Sequence, residues 1–244
     1  MDLFSPAPDL AALRAKALTI HDRLCRAHDC PVPFFSTKDP LSELVSALLS
    51  HRTKNADSGR AYDRLRERLP TWEAVRDADV AAVEAAIAPC TWPEQKAPRL
   101  QSVLREITDA PETDGLSLDA LAAWPAGRAR RWLEGFKGVG PKTSAAVLLF
   151  STLRVPALPV DSHHHRVAQR LGLIPESMAV GPSHDALAAL VPSDWDAQAV
   201  YDHHEVFMLH GQTCCFWKAP ACPRCPVADL CVWEGKRTAK DAGG

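Results

Sequence analysis

The stretch GFKGVGPKTSAAVLLF, from Gly135 to Phe150, decides how this chain is read. Gly138 and Gly140 flank Val139, and Pro141 and Lys142 open an apolar run. Proline suits the first helical position, where its missing N–H costs nothing, so a helix is expected over Pro141 to Thr152. The preceding segment, Ala126 to Phe136, is basic on one side at helical spacing. Two helices therefore meet at a tight turn, where glycine lets the backbone bend and come close to a ligand. The amides that begin the second helix, near Thr143, point outward and suit an anion such as a phosphate. Such a turn also joins helices that bind nothing, so the lysine carries the distinction. Lys142 lies in the first turn, where the helix dipole disfavours further positive charge, and partial burial would also favour the neutral amine. Neutral amines attack carbonyl-like carbons to form Schiff bases. Such a lysine needs a carboxylate to take its proton.

Outward from the hairpin, Trp124 to Thr143 holds Arg128, Arg130, Arg131, Lys137 and Lys142 against the single acid Glu134. A solvated helix face is the plainer explanation of such a run. The net charge of the 244 residues is −2, which argues against a globally basic nucleic-acid binder and leaves only a local surface. The length suits one or two domains with a packed core. Met1 to Leu10 carries Asp2 and Asp9 and no basic cluster, unlike a secretory leader. Apolar runs such as Ala145 to Phe150 fall short of the roughly 20 residues a membrane span needs. A cytoplasmic monomer with no membrane partner is expected.

The patterning is helical throughout, with no convincing period-two alternation, so the fold class is all-α. Helices are expected over Pro8 to Ala27, Leu41 to Ser50, Asn55 to Leu69, Pro93 to Thr108, Asp161 to Leu171, Ser183 to Leu190 and Asp196 to His210. Thr71, Asp79 and Ser117 read as caps of short helices. The proline-containing loop Leu153 to Pro159 is the best internal boundary.

That loop leads into Pro159-Val160-Asp161-Ser162-His163-His164-His165-Arg166. Asp161 is placed to cap a helix, and it is also the carboxylate that a nucleophilic lysine would need. Three consecutive histidines on a helix splay about 100° apart and cannot converge on one ion, so they read as structural or DNA-facing. Of eight cysteines, Cys25, Cys30 and Cys90 are scattered, and the rest crowd between Cys214 and Cys231. Cys215-x6-Cys222-x2-Cys225-x5-Cys231 can hold one metal centre. Zinc sites usually show two short cysteine pairs, whereas one short pair flanked by single cysteines fits an iron–sulfur cluster better. Cys214 is the spare, and Lys218 and Arg224 within the ligand loops offer a phosphate-facing surface.

With the hairpin lysine, the Val-Asp-Ser-His stretch and the C-x6-C-x2-C-x5-C tail together and in this order, the sequence resembles the endonuclease III family of helix–hairpin–helix DNA glycosylases. The match runs from about Leu41 to Trp233. It includes Leu48-Leu49-Ser50, Thr53-Lys54 and His210-Gly211. The resemblance implies two helical domains with a DNA-binding cleft between them. Residues 39 to 154 would form a six-helix barrel, and residues 1 to 38 with 155 to 244 a domain carrying a [4Fe–4S] cluster. It implies double-stranded DNA with damaged bases or abasic sites as partner, and a nucleoid-associated protein if bacterial. The hairpin at Gly138, Val139 and Gly140 would grip phosphates while the damaged base is flipped out. Lys142 matches the family's nucleophile and Asp161 its catalytic carboxylate. The expected activity is a bifunctional glycosylase and abasic-site lyase for oxidised pyrimidines. Arg52, Lys54, Trp92, Thr143, His163 and Lys218 are the further expected DNA contacts.

The chain also departs from the family. A glutamine often stands where this chain has Arg52, and a loop of glycine, a large apolar residue and tyrosine is replaced by Thr91-Trp92-Pro93. Arginine would still hydrogen-bond an orphaned base. Trp92 reads either as an oversized wedge or as a core residue. The Lys142–Asp161 spacing is one residue longer than expected. These departures keep two alternatives open, a damaged-DNA binder with weak turnover and a glycosylase for another base.

Overall fold

A computed structural model describes residues 9 to 236. Among the described residues there is no strand. The α-helices are α1 (Leu10–Ala27), α2 (Pro40–Ser50), α3 (Asn55–Arg68), α4 (Trp72–Asp77), α5 (Val80–Ala86), α6 (Pro93–Asp109), α7 (Ala126–Glu134), α8 (Pro141–Phe150), α9 (Ser162–Arg170), α10 (Val180–Ala188) and α11 (Ala197–Thr213). Short 3-10 turns cover Asp119–Ala123, Cys222–Arg224 and Ala228–Leu230. No described helix is long and apolar enough to cross a membrane.

The starts follow from the sequence. Asp9, Asp39, Thr71, Asp79, Asp161 and Asp196 each accept a hydrogen bond from a backbone N–H of the turn they cap. Proline opens α2, α6 and α8. One helix is displaced from expectation: α10 begins at Val180 rather than Ser183. Pro182 sits in its first turn, where no N–H is needed, and Ser183 Oγ donates to Val180 O instead of capping. The last, α11, runs past His210 to Thr213.

The chain divides into two compact units, one taking Phe34–Pro159 and the other the described residues up to Pro33 together with those from Val160 onward. In the Phe34–Pro159 unit, α8 is the central helix. Thr143 to Phe150 are all buried, which explains why Ala145 to Phe150 is apolar on every side. Against it pack α2 and α7, with α3 beside α2 and α4 and α5 beside α6. Leu44, Leu48, Leu49, Leu100, Leu104, Leu133, Val147 and Leu148 belong to one continuous core, each contributing roughly 1.5–3 kcal/mol on burial.

In the other unit, α11 packs on α1 and α9. Tyr201 and Phe207 are fully buried on it. A polar seam runs through this core, comprising His164, His184, Asp202, His203, His204 and Glu205. Asp202 Oδ1 accepts from Val32 N at 2.8 Å and from Gln198 Nε2 at 2.9 Å. Two of the scattered cysteines form a disulfide, Cys25 in the last turn of α1 with Cys30 just beyond the helix.

Candidate active site and metal centre

The hairpin between α7 and α8 is closed by Val139 N donating to Phe136 O at 3.0 Å. Gly138 adopts φ +94°, and a Cβ there would lie 2.9 Å from Arg99 Cδ. The left-handed conformation requires glycine, and the missing side chain leaves room for Arg99. Val139 is buried, and Gly140 caps α8 with extended backbone. Ser144 Oγ donates to Glu134 Oε1 at 2.7 Å, and Arg130 reaches the same carboxylate, so the only acid of the basic run locks the two helices together. Lys142 is exposed at the start of α8, whose residues are buried from Thr143 onward. The residue is thus exposed, against the partial burial expected of it.

Thr143 is buried beside Lys142, and its Oγ1 lies 3.0 Å from His51 Nε2. Burial, with help from Lys142, Lys96 and Arg99, holds the His51 imidazole below its ordinary pKa, so it is neutral near pH 7. Sequence reasoning passed over His51, although it stands between Ser50 and Arg52 in a stretch singled out for other reasons. Arg52 and Trp92 both have positive φ, 52° and 54°. Trp92 is 46% exposed and is therefore not a core tryptophan. A cavity of about 410 Å³ is lined by His51, Arg52, Trp92, Gln95, Lys96 and Arg99. Lys54 is exposed at the start of α3 and makes no side-chain cap.

Asp161 belongs to the other unit. It caps α9, with Oδ1 accepting from His164 N at 2.7 Å. Glu205, on α11, was not anticipated. Burial first and Asp161 second push its carboxyl up to about 7. The three histidines separate as their spacing requires: His164 is buried, while His163 and His165 are half-buried. His163 Nδ1 lies 3.1 Å from Arg166 Nη2, and His165 Nε2 lies 2.8 Å from Met178 O.

Two arginines one turn apart on α9 hold the cysteine loop. Arg166 donates to Gly211 O at 2.8 Å and Cys215 O at 3.0 Å. Arg170 donates to Phe216 O at 2.7 Å and Trp217 O at 3.1 Å. A Cβ on Gly211 would lie 2.8 Å from His163 Cβ, so glycine here permits the close approach of α11 to α9. Lys218 and Arg224 are exposed, and Arg224 donates to Thr213 O at 2.7 Å.

The loop encloses a cavity of about 310 Å³ whose walls include Cys214, Cys215, Cys222, Cys225, Cys231 and His210. Arg170 Nη1 donates to Cys215 Sγ at 3.2 Å. Soft sulfur donors around one enclosed space, with arginine against a sulfur, suit an iron–sulfur cluster, so the residues present fit the group. Cys214, the spare by spacing, is also drawn into this wall. The ligand atoms of His210, Cys214 and Cys225 lie within 4.8 Å of one another, and His210 Nε2 is 3.5 Å from Cys225 Sγ.

Residues 45–192 match the HhH-GPD superfamily of base excision DNA repair proteins. A candidate DNA glycosylase of Arabidopsis thaliana is 29% identical over 198 residues, which cover 81% of this chain and 65% of that protein. Endonuclease III of Sulfolobus acidocaldarius is 24% identical over 199 residues, 81% of this chain and 83% of that one. Among solved structures, the fold matches a trapped covalent intermediate of endonuclease III with DNA (TM-score 0.73, 22% identity, 90% of this chain and 95% of that one). It also matches a thermostable thymine-DNA glycosylase (TM-score 0.72, 22% identity, 91% and 98%).

Proposed function

The chain belongs to the HhH-GPD superfamily of base excision DNA repair proteins, and from that premise we propose that it is a bifunctional DNA glycosylase and abasic-site lyase. The observation that carries the reading is Lys142, an exposed residue in the first turn of α8, two residues beyond the glycine hairpin. The hairpin amides hold a phosphate of the damaged strand and bring the sugar to the amine. Lys142 Nζ attacks C1′ of the flipped nucleotide, and the base leaves with the electron pair of the broken glycosidic bond. Loss of the amine proton and opening of the sugar yield a Schiff base. Removal of a C2′ proton then expels the 3′ phosphate, breaking the C3′–O bond.

Asp161 is the carboxylate that takes the amine proton and balances positive charge on the sugar. Oxidised pyrimidines are the substrate class, with Arg52, Lys54, Trp92, His163 and Lys218 as DNA contacts beside the hairpin. Cys215, Cys222, Cys225 and Cys231 would hold a [4Fe–4S] cluster, which when bound supplies iron–thiolate cross-links to a loop that packs little apolar surface of its own. The chain's part is to orient that loop through Arg166 and Arg170.

Borohydride trapping on a duplex with one abasic site tests the reading. The wild type should form a permanent protein–DNA crosslink, and Lys142→Gln should not while still binding the duplex. A wild type that binds the duplex without crosslinking would sink the lyase assignment. It would favour damaged-DNA binding with little turnover, the reading that the replaced probe residues Arg52 and Trp92 support.

A further inference from the structure

Lys96 is a buried cation whose hydrogen bonds go to neutral groups. It is 8% exposed. Its Nζ donates to Leu49 O at 2.6 Å, His51 O at 2.9 Å and Thr53 Oγ1 at 2.8 Å. A lysine ammonium has three donors, and these contacts use all of them on one short stretch. Burying such a charge is costly unless every donor is satisfied. Part of the compensation is local: Leu49 O is among the last carbonyls of α2, which have no partner within the helix, and a cation at that end complements the helix dipole.

The same stretch is tied to a second loop. Thr53 Oγ1 accepts from Thr91 N at 3.1 Å and meets Thr91 Oγ1 at 3.2 Å. Thr91 Oγ1 donates to Arg52 O at 2.9 Å. One lysine from the start of α6 therefore organises the loop before α3, and Thr53 passes that order to the loop before α6. Each loop places a non-glycine residue in the left-handed region, Arg52 at φ 52° and Trp92 at φ 54°. Such conformations cost of order 1 kcal/mol or more each and persist only where surrounding contacts over-determine them. Both side chains are exposed, and both line the same cavity. Two strained residues on two loops, joined by one buried amine, behave as one object.

We infer that Lys96 is a positioning residue that sets Arg52 and Trp92 as a single two-part probe of unpaired bases. The indole would stack on a base and the guanidinium would hydrogen-bond its edge. The lysine touches no DNA and acts through the two loops. This inference rests on the reading of Arg52 and Trp92 as DNA contacts.

The test is equilibrium affinity for a duplex carrying a tetrahydrofuran abasic analogue, measured against the intact duplex, which needs no turnover. The expected result is a preference for the abasic duplex that falls about tenfold in Lys96→Met, the loss of one stacked base. Intact-duplex affinity should be unchanged, whereas general loosening would weaken both. Arg52→Ala/Trp92→Ala should lose the same preference, and adding Lys96→Met to it should change nothing more. If Lys96→Met does not fold, Thr53→Val/Thr91→Val removes the link between the loops and should show the same loss. A folded variant of either kind with wild-type preference, or losses that simply add, would overturn the inference. Non-additive losses in a protein that forms no borohydride crosslink would keep it and remove the lyase reading. Additive losses in a protein that does crosslink would do the reverse.

Discussion

A glutamate is charged at neutral pH in most settings, but burial on α11 and the nearby Asp161 push the Glu205 carboxyl to about 7 from 4.5. A folded-state value above the unfolded one means that the folded chain binds the extra proton. Stability is therefore full below about pH 4.5 and is lost as pH rises through 7. Glu205→Gln should leave the melting temperature unchanged at pH 4.5 and raise it at pH 8, by the equivalent of roughly 2 kcal/mol after allowance for solvent screening. Equal effects at both pH values would show that the carboxyl is not neutralised on folding. The buried histidines act in the opposite sense. Burial, with His21 and His204, lowers His203 to about 3, so its contribution is present above pH 6.5 and is lost on acidification. Nothing in the sequence marked Glu205 out, because a glutamate between His204 and Val206 reads as an ordinary helix residue until α11 is packed.

At the scale of single elements, α9 combines two duties at its first residues. Asp161 caps the helix and is the proposed catalytic carboxylate, the pair of readings that the sequence left open. Asparagine is as good a cap as aspartate, so the duties separate. Asp161→Asn should hold the melting temperature and lose glycosylase turnover, measured as base release. Asp161→Ala should lose both, with about 1 kcal/mol from the cap. Full turnover in Asp161→Asn would leave the residue as a helix cap alone. The helix starts were legible because capping and first-turn prolines are local chemistry. The start of α10 was less so, since Ser183 followed Pro182 in a pattern that fits a cap as well as a first turn. Burial around Lys142 was misjudged for a related reason: an apolar helix signals that it is buried without showing which residues of its first turn are exposed.

For the whole molecule, the cysteine loop is the part with the least core of its own. Cys222→Ser should abolish the brown colour of an iron–sulfur protein and raise amide exchange between His210 and Lys236. Exchange in α8 should stay low, because that helix is embedded in the core of the Phe34–Pro159 unit. A coloured variant with native exchange would remove Cys222 from the ligand set. The sequence by itself determined the all-α class, the hairpin before α8 and the cysteine spacing. Each rests on interactions a few residues long, such as caps, glycine torsions and short ligand loops. Only the tertiary structure decided that Trp92 is exposed, that Cys214 and His210 share the cavity of the other cysteines, that Glu205 is buried and influenced by Asp161, and that Lys96 joins two loops. Those outcomes depend on which residues distant in the chain become neighbours, and that is set by packing between helices, which no local pattern records.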